Sequence, residues 1–495
     1  MPEIALALVF LAAIVALSDW RKGFVLCALT AILQDPLRKL TPGEPAYFVL
    51  LVGVVFAAAV TGALMRRKRL TPGIIQGWMP FMDKPFSLFL VLVAIQAAHS
   101  LARFGSPMMS GIGLMAYLAP VPALVLAYHF ALRTGLAGIR GWMRFYVLAA
   151  MVSLSGVYLE YLGFDWKALG EVGEGLTIYD VGTVLQAYSG FFRSSEIAAW
   201  HTAAIGCLLF ILLIGRRINL PRIVLVGAAF ALLVSLGILT GRRKMLVEMA
   251  VFLSAYFCLV AWFQYRATRP AVVAAVAGVL AYAVIVGALM PDGAESSTKT
   301  IRIDPSQRYE HYAVRGKSAF GDAPERFEAL GLRPVMWAVD SFGFFGAGLG
   351  TGSQGVQHVA GAAQINRGAA EGGLGKFTME LGVPGLLLMV WLAIAFGRYI
   401  RRLLIVTTKI SIRHARIAYG LTAFLIANAA TFSIATQAYG DLFVLLVMGW
   451  TAGFLLAMPA LASRSVDAGR KGSRQQPPPE PRRGFQPRFA QPLAR

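Results

Sequence analysis

Apolar runs long enough to cross a hydrocarbon core of about 30 Å recur from one end of this chain to the other. Inside lipid, such a run has only its own backbone to satisfy its N–H and C=O groups, so each must be a helix and together they must form a bundle. The runs are 3–19, 23–37, 46–64, 86–103, 110–131, 142–160, 196–215, 222–240, 245–264, 271–290, 376–397, 415–436 and 440–460. The expected fold is an all-α polytopic membrane protein, a bundle of about 12–13 transmembrane helices. Charged residues supply only 14% of the chain, against about a quarter in a soluble protein. The second run, "GFVLCALTAIL", is short and leads into "QDPLRKLTPGEP". It either spans or re-enters, and the side of the N-terminus turns on which. Met1–Ser18 has no basic n-region and simply opens the first span.

Alternate connections are basic: "RRKR" at 66–69, Arg133 with Arg140 and Arg144, "RRINLPR" at 216–222, Arg266 with Arg269, and 398–416 with its "RR" and "RHAR". The tail from Ser463 carries eight Arg and Lys against Asp467 and Glu480. All of these fall on one side when the spans alternate, and the positive-inside bias makes that side cytoplasmic. The outer side then holds 104–109, 161–195, 241–244, 291–375 and 437–439. The chain divides into an N-terminal bundle (1–290), a large outer loop with short helices (291–375), C-terminal spans (376–462) and a Pro-, Gln- and Arg-rich tail (463–495) expected to be disordered on the cytoplasmic side. The net charge of +21 sits in these inter-span clusters, which argues against a nucleic-acid partner and for contact with membrane lipids. Cys27, Cys207 and Cys258 lie in apolar segments and are expected to pack there, without disulfide or metal spacing.

On the outer side, "LTGRRKMLVE" (239–248) is the one short connection with three adjacent cations. Arginine keeps its proton, and its planar fork grips phosphate oxygens two at a time. Arg242 and Arg243 therefore suit an anionic head group; the plainer alternative is that they snorkel to ordinary phospholipid and end two helices.

Three further outer stretches bear on that choice. In "GLRPVMWAVDSFGFFGAGLGTGS" (331–353), Arg333 precedes Pro334, a helix-start signal, and Val335, Met336 and Val339 have the spacing of a buried stripe. The glycines that follow leave amides free to meet an anion, or let other backbone pack closely. In "EGGLGKFTMELGVPGLLLMVWLAI" (371–394), Glu371 sits at the mouth of a span, with Lys376 and Glu380 next at helical spacing. Carboxylates placed there serve as bases or as solvated caps. In "YSGFFRSSEIAAWHTA" (188–203), Arg193 and Glu196 stand at the outer end of a span, and His201, one turn inside, is expected to be packed and hydrogen-bonded.

Taken in order, these stretches resemble the O-antigen ligase and polymerase superfamily over roughly 180 to 400. "FFRSSEIAAW" is similar to the family's Arg-containing stretch ahead of a span, giving Arg193 and Glu196. "LTGRRKMLVE" is similar to its Thr-x-Ser-Arg segment, with Thr240 in place and Arg243 at the arginine position. "RPVMWAVDSFGFFGAGLGTGS" is similar to its Arg-x-x-x-Trp stretch and Gly-x-Gly, giving Arg333, Trp337, Gly346 and Gly348. Gly382 and Gly385 fit its Gly-x-x-Gly, but the His-Asn position upstream is occupied by Glu371 and Gly372.

The resemblance implies a glycosyltransferase of the bacterial inner membrane that joins polyprenyl-pyrophosphate-linked oligosaccharide repeat units into exopolysaccharide or O-antigen at the periplasmic face. The implied chemistry needs no metal and no other cofactor. Arg243 and Arg333 stabilise the departing pyrophosphate and Glu371 deprotonates the attacking hydroxyl; Arg242, Arg193, Glu196, Trp337, Gly346, Gly348 and Lys376 bind substrate. A chain-length regulator and other polysaccharide assembly proteins are candidate partners. Two alternatives stay open: an O-antigen ligase, which differs in its acceptor, and a polysaccharide flippase or other transporter. A transporter favours internal repeats and ionisable residues at mid-membrane, where this chain collects its own at the rim.

Overall fold

The computed structural model describes residues 2–66, 82–172, 177–180, 183–214, 220–242, 244–265, 327–353 and 372–474. The run 271–290, Arg243 and Glu371 lie outside the described residues. Every other apolar run is helical. The helices are α1 (Pro2–Ser18), α2 (Gly23–Lys39), α3 (Leu51–Met65), α4 (Asp83–Phe104), α5 (Pro107–Leu118), α6 (Pro120–Tyr161), α7 (Ser195–Leu213), α8 (Leu220–Leu239) and α9 (Lys244–Gln264). After a short α10 (Arg333–Phe342) come α11 (Gly373–Ile410), α12 (Ile412–Ile434) and α13 (Leu442–Arg474). Eight helical stretches among the described residues are long and apolar enough to cross a membrane, and shorter apolar helices accompany them. Large side chains such as Phe10, Val91, Val152 and Leu387 face outward, unburied. The chain is a multi-pass membrane protein.

The passes can be traced by their contacts. α1 and α3 finish together, where Arg66 donates to the Ser18 carbonyl. α2 runs back beside them, and its last turn brings Asp35 and Lys39 to the loop 189–193 at the far end of the bundle. Its 17 residues reach about 25 Å at 1.5 Å per residue, from the Ser18 end of the bundle to that far end. The "Arg193 end" below is this end.

α6 makes two passes. Gly135 inside it has φ +65° and ψ −166°, a conformation that glycine alone enters without strain. Pro120 and Leu124 lie against Gly449 and Gly453 of α13, whereas Trp142 meets Trp450 and Tyr146 meets Phe443. The two arms therefore run along α13 in opposite senses. The glycines of "GWTAG" permit the approach, since a Cβ added at Gly453 would stand 2.2 Å from the Leu124 carbonyl oxygen; small residues at this spacing are how helices close up in lipid. Beside that seam Phe24, Trp142 and Trp450 form the aromatic centre, with ring centroids 5.0 Å apart for Phe24–Trp450 and 5.3 Å for Trp142–Trp450. The Trp142 indole N–H donates to the Phe24 carbonyl at 3.1 Å.

The segment 161–195 contains an antiparallel hairpin, Thr177–Asp180 paired with Thr183–Gln186, a small addition to the helical bundle. Two expectations are corrected. α13 continues to Arg474, so the tail is helical well past Ser463; Arg464 donates to the Leu132 carbonyl at 2.6 Å and ties that extension to α6. In α10 the buried positions are Pro334 and Ala338, and Met336 is 70% exposed. The helix packs by its small residues because Gly375 of α11 comes directly under Pro334.

Candidate substrate site at the Arg193 end

Arg193 sits where three parts of the chain converge. Its guanidinium lies 3.4 Å from Asp35 of α2 and 2.6 Å from Asp441 before α13. Its backbone N–H donates to Asp35 at 3.1 Å. Burial alone would push the guanidinium's pKa down, but Asp441 and Asp35 outweigh it and hold the pKa above the usual arginine value. Lys39 adds a second tie, donating to the Gly190 and Phe192 carbonyls at 2.7 and 2.6 Å. Arg193, expected to bind substrate, is thus committed to two carboxylates and positions the start of α7.

That start is well capped. Ser194 accepts from the Ile197 N–H and Glu171 from the Ser195 N–H, satisfying donors that a helix N-terminus leaves open. Glu196 in the same turn reaches Arg242, at 2.7 Å, and Arg242 Nε donates to Ser195 Oγ at 3.1 Å. Arg242 follows Gly241, whose φ of +68° lets α8 end in a tight turn. Lys244, the first residue of α9, donates to the Gln437 side chain. Arg242, Lys244, Glu196, Trp200, Glu248, Thr431 and Tyr439 together line a cavity of about 20 Å³, room for a single water-sized group.

Tyr439 also borders a second space, an apolar groove of about 430 Å³ between α4, α5, α6, α11 and α13. Phe86, Phe89, Leu124, Met389, Leu392 and Phe396 supply its walls, and Lys376 is the cation on its lining. Lys376 is itself buried. Glu380, one turn on, is no solvated cap: it is fully buried and accepts from Gly352 N at 2.9 Å and from the Tyr117 hydroxyl at 2.7 Å. It pins the glycine loop to α11.

The glycine loop is a packing device. Gly346 and Gly348 have φ of +77° and +103°. A Cβ on Gly346 would stand 2.7 Å from the Met379 carbonyl oxygen, and one on Gly348 would stand 2.9 Å from the Ser100 backbone. The Ala347 amide donates to Met379 at 2.7 Å and that of Leu349 to Gln96 at 3.2 Å. These amides serve protein carbonyls, so of the two uses open to this loop the structure displays close packing. Arg333 is exposed on α10, its guanidinium 3.0 Å from Glu328, and Trp337 is half-buried against Phe342. Neither lines the cavity or the groove. His201 is packed as expected, 2.7 Å from the Tyr146 hydroxyl and stacked on Phe192.

No protein-family model matches the chain, and no curated protein is similar to it. The polar and aromatic residues that line the small cavity and were not singled out from sequence are Glu248, Tyr439, Trp200 and Thr431. Glu248 carried a signal: it is the one acidic residue in an otherwise apolar helix, and such residues are rarely idle in a membrane.

Proposed function

We propose that this chain is a glycosyltransferase that joins polyprenyl-pyrophosphate-linked oligosaccharide units into exopolysaccharide or O-antigen. On this reading the Arg193 end faces the periplasm and the basic end, with the C-terminal tail, faces the cytoplasm of a bacterial inner membrane. The observation that carries the reading is the shared wall at Tyr439 between a cation-rimmed cavity and a long apolar groove. A lipid-linked donor is built the same way, with an anionic pyrophosphate on an apolar tail. Arg242 and Lys244 would receive the phosphates, Lys376 would stand over the entry to the groove, and the prenyl chain would lie along its Phe- and Leu-rich walls. The cations offset the charge that grows on the leaving pyrophosphate, an effect amplified away from water. Arg243 and Arg333 join this clamp by the sequence resemblance, and Glu371 is the carboxylate the resemblance nominates as base.

The test is transfer. Full-length protein in proteoliposomes is given lipid-linked oligosaccharide extracted from membranes of the source cell, and product size is read on a gel. A ladder supports polymerisation, and a single addition to another acceptor supports ligation. Release of unmodified donor to the opposite leaflet, without new glycosidic bonds, would replace this reading with transport.

A further inference from the structure

Glu248 lies one turn below Lys244 on the same face of α9 and is 1% exposed. Its Oε1 has no hydrogen-bond partner among the described residues, although it borders the small cavity between Arg242, Lys244, Trp200 and Tyr439. Buried polar atoms are almost always satisfied, and a carboxyl group at membrane depth is costly. An unsatisfied carboxylate oxygen beside a water-sized space therefore points to a group that enters that space. The carboxyl group's polar neighbours are Thr431 and Asn428. Asn428 is itself held: its Oδ1 accepts from Trp200 Nε1 at 2.8 Å and from the Tyr439 hydroxyl at 3.1 Å, and its Nδ2 donates to the Phe424 carbonyl at 2.9 Å. The carboxyl group is thus oriented from α12 and left open toward the cavity.

We infer that Glu248 is a catalytic residue, the acceptor for the proton of the attacking sugar hydroxyl. This rests on the glycosyl-transfer reading above. The hydroxyl oxygen of the acceptor bonds to the donor's anomeric carbon while the bond from that carbon to the pyrophosphate oxygen breaks. The electron pair leaves on polyprenyl pyrophosphate, held by Arg242 and Lys244, and the hydroxyl proton passes to Glu248 Oε1. The cavity admits about one hydroxyl-sized group, which fits an acceptor presenting a single oxygen rather than a whole ring at this depth.

The experiment compares Glu248→Gln, Glu248→Ala and Glu371→Gln with the wild type as full-length protein in proteoliposomes. Donor-site binding is read with geranylgeranyl pyrophosphate, transfer with extracted lipid-linked oligosaccharide, and folding by thermal unfolding. Glu248→Gln is expected to bind the pyrophosphate like wild type and to transfer about 10²–10⁴ times more slowly. Formate added to Glu248→Ala is expected to restore part of the rate, which no purely structural role would allow. Wild-type transfer by Glu248→Gln, loss of binding in step with loss of transfer, or a large defect confined to Glu371→Gln would each overturn the assignment. Absence of transfer in the wild type would instead remove the functional reading on which it stands.

Discussion

The Arg193 guanidinium stands 2.6 Å from the Asp441 carboxylate, and this one contact joins the segment entering α7 to the segment entering α13. Asp441 also accepts from the Val444 N–H at 3.0 Å, so the same carboxylate caps the last helix. Arg193→Gln leaves Asp35 and Asp441 buried without their cation. Removing one partner of a buried pair costs about 3–5 kcal/mol. The expected result is a lowered unfolding temperature in detergent, with Arg193→Lys intermediate because it keeps the charge and loses the fork. An Arg193→Gln protein as stable as wild type, yet defective in donor binding, would make Arg193 a substrate ligand.

Topology gives a second prediction. In a background lacking the native cysteines, Lys167→Cys should react with an impermeant thiol reagent added outside spheroplasts, and Arg413→Cys should not. Both positions are exposed and belong to opposite ends of the bundle. Labelling of position 413 alone would invert the orientation and with it the periplasmic site.

The glycine loop makes a third. Gly348→Ala brings a Cβ to 2.9 Å from Ser100 at a φ of +103°, combining clash with strain. Gly343→Ala meets nothing within 4 Å and carries only the strain of φ +75°. Left-handed backbone costs a non-glycine residue about 1–2 kcal/mol, and overpacking adds about 1–3 kcal/mol. Gly348→Ala should therefore be clearly the less stable of the two by thermal unfolding. Equal losses would show that the loop relaxes around the added methyl.

Arg242→Lys tests shape against charge. The cation remains, but the fork that reaches Glu196 and Ser195 together is gone. Transfer should fall by about 10²–10³, the range for losing a charge-stabilising donor, while insertion in the membrane is unchanged. A normal product ladder would reduce Arg242 to a strut between α7 and α9.

Much of the bundle was legible because run length alone decides it: an apolar helix needs about 20 residues to cover the hydrocarbon, and runs near that length recur along the chain. α2 was ambiguous because its final turn is polar, with Asp35, Pro36, Arg38 and Lys39. Those residues belong to the rim, and the Arg193 amide that Asp35 accepts from is 158 positions away, beyond any local pattern. The hairpin was more readable than its omission suggests, since "TIYDVGTVLQ" is rich in β-branched residues on both paired strands. The arginine at 242 was found from charge and spacing. Glu248 stood inside the same quoted stretch and was passed over, because the meaning of a lone acid depends on what surrounds it in space.

The reversal at Gly135 has a practical consequence for anyone engineering this protein. Two membrane passes are joined there through one residue of special backbone, so that end of the hairpin offers no slack in which to place a tag, a protease site or a fusion partner. An insertion at that point would report on whether the pair of helices can still fold against α13, and its readout as a marker of sidedness would be meaningless. Labels for that face belong on Arg413, which is exposed at the start of α12 and lies away from the Arg464–Leu132 bond that ties the end of α13 to α6.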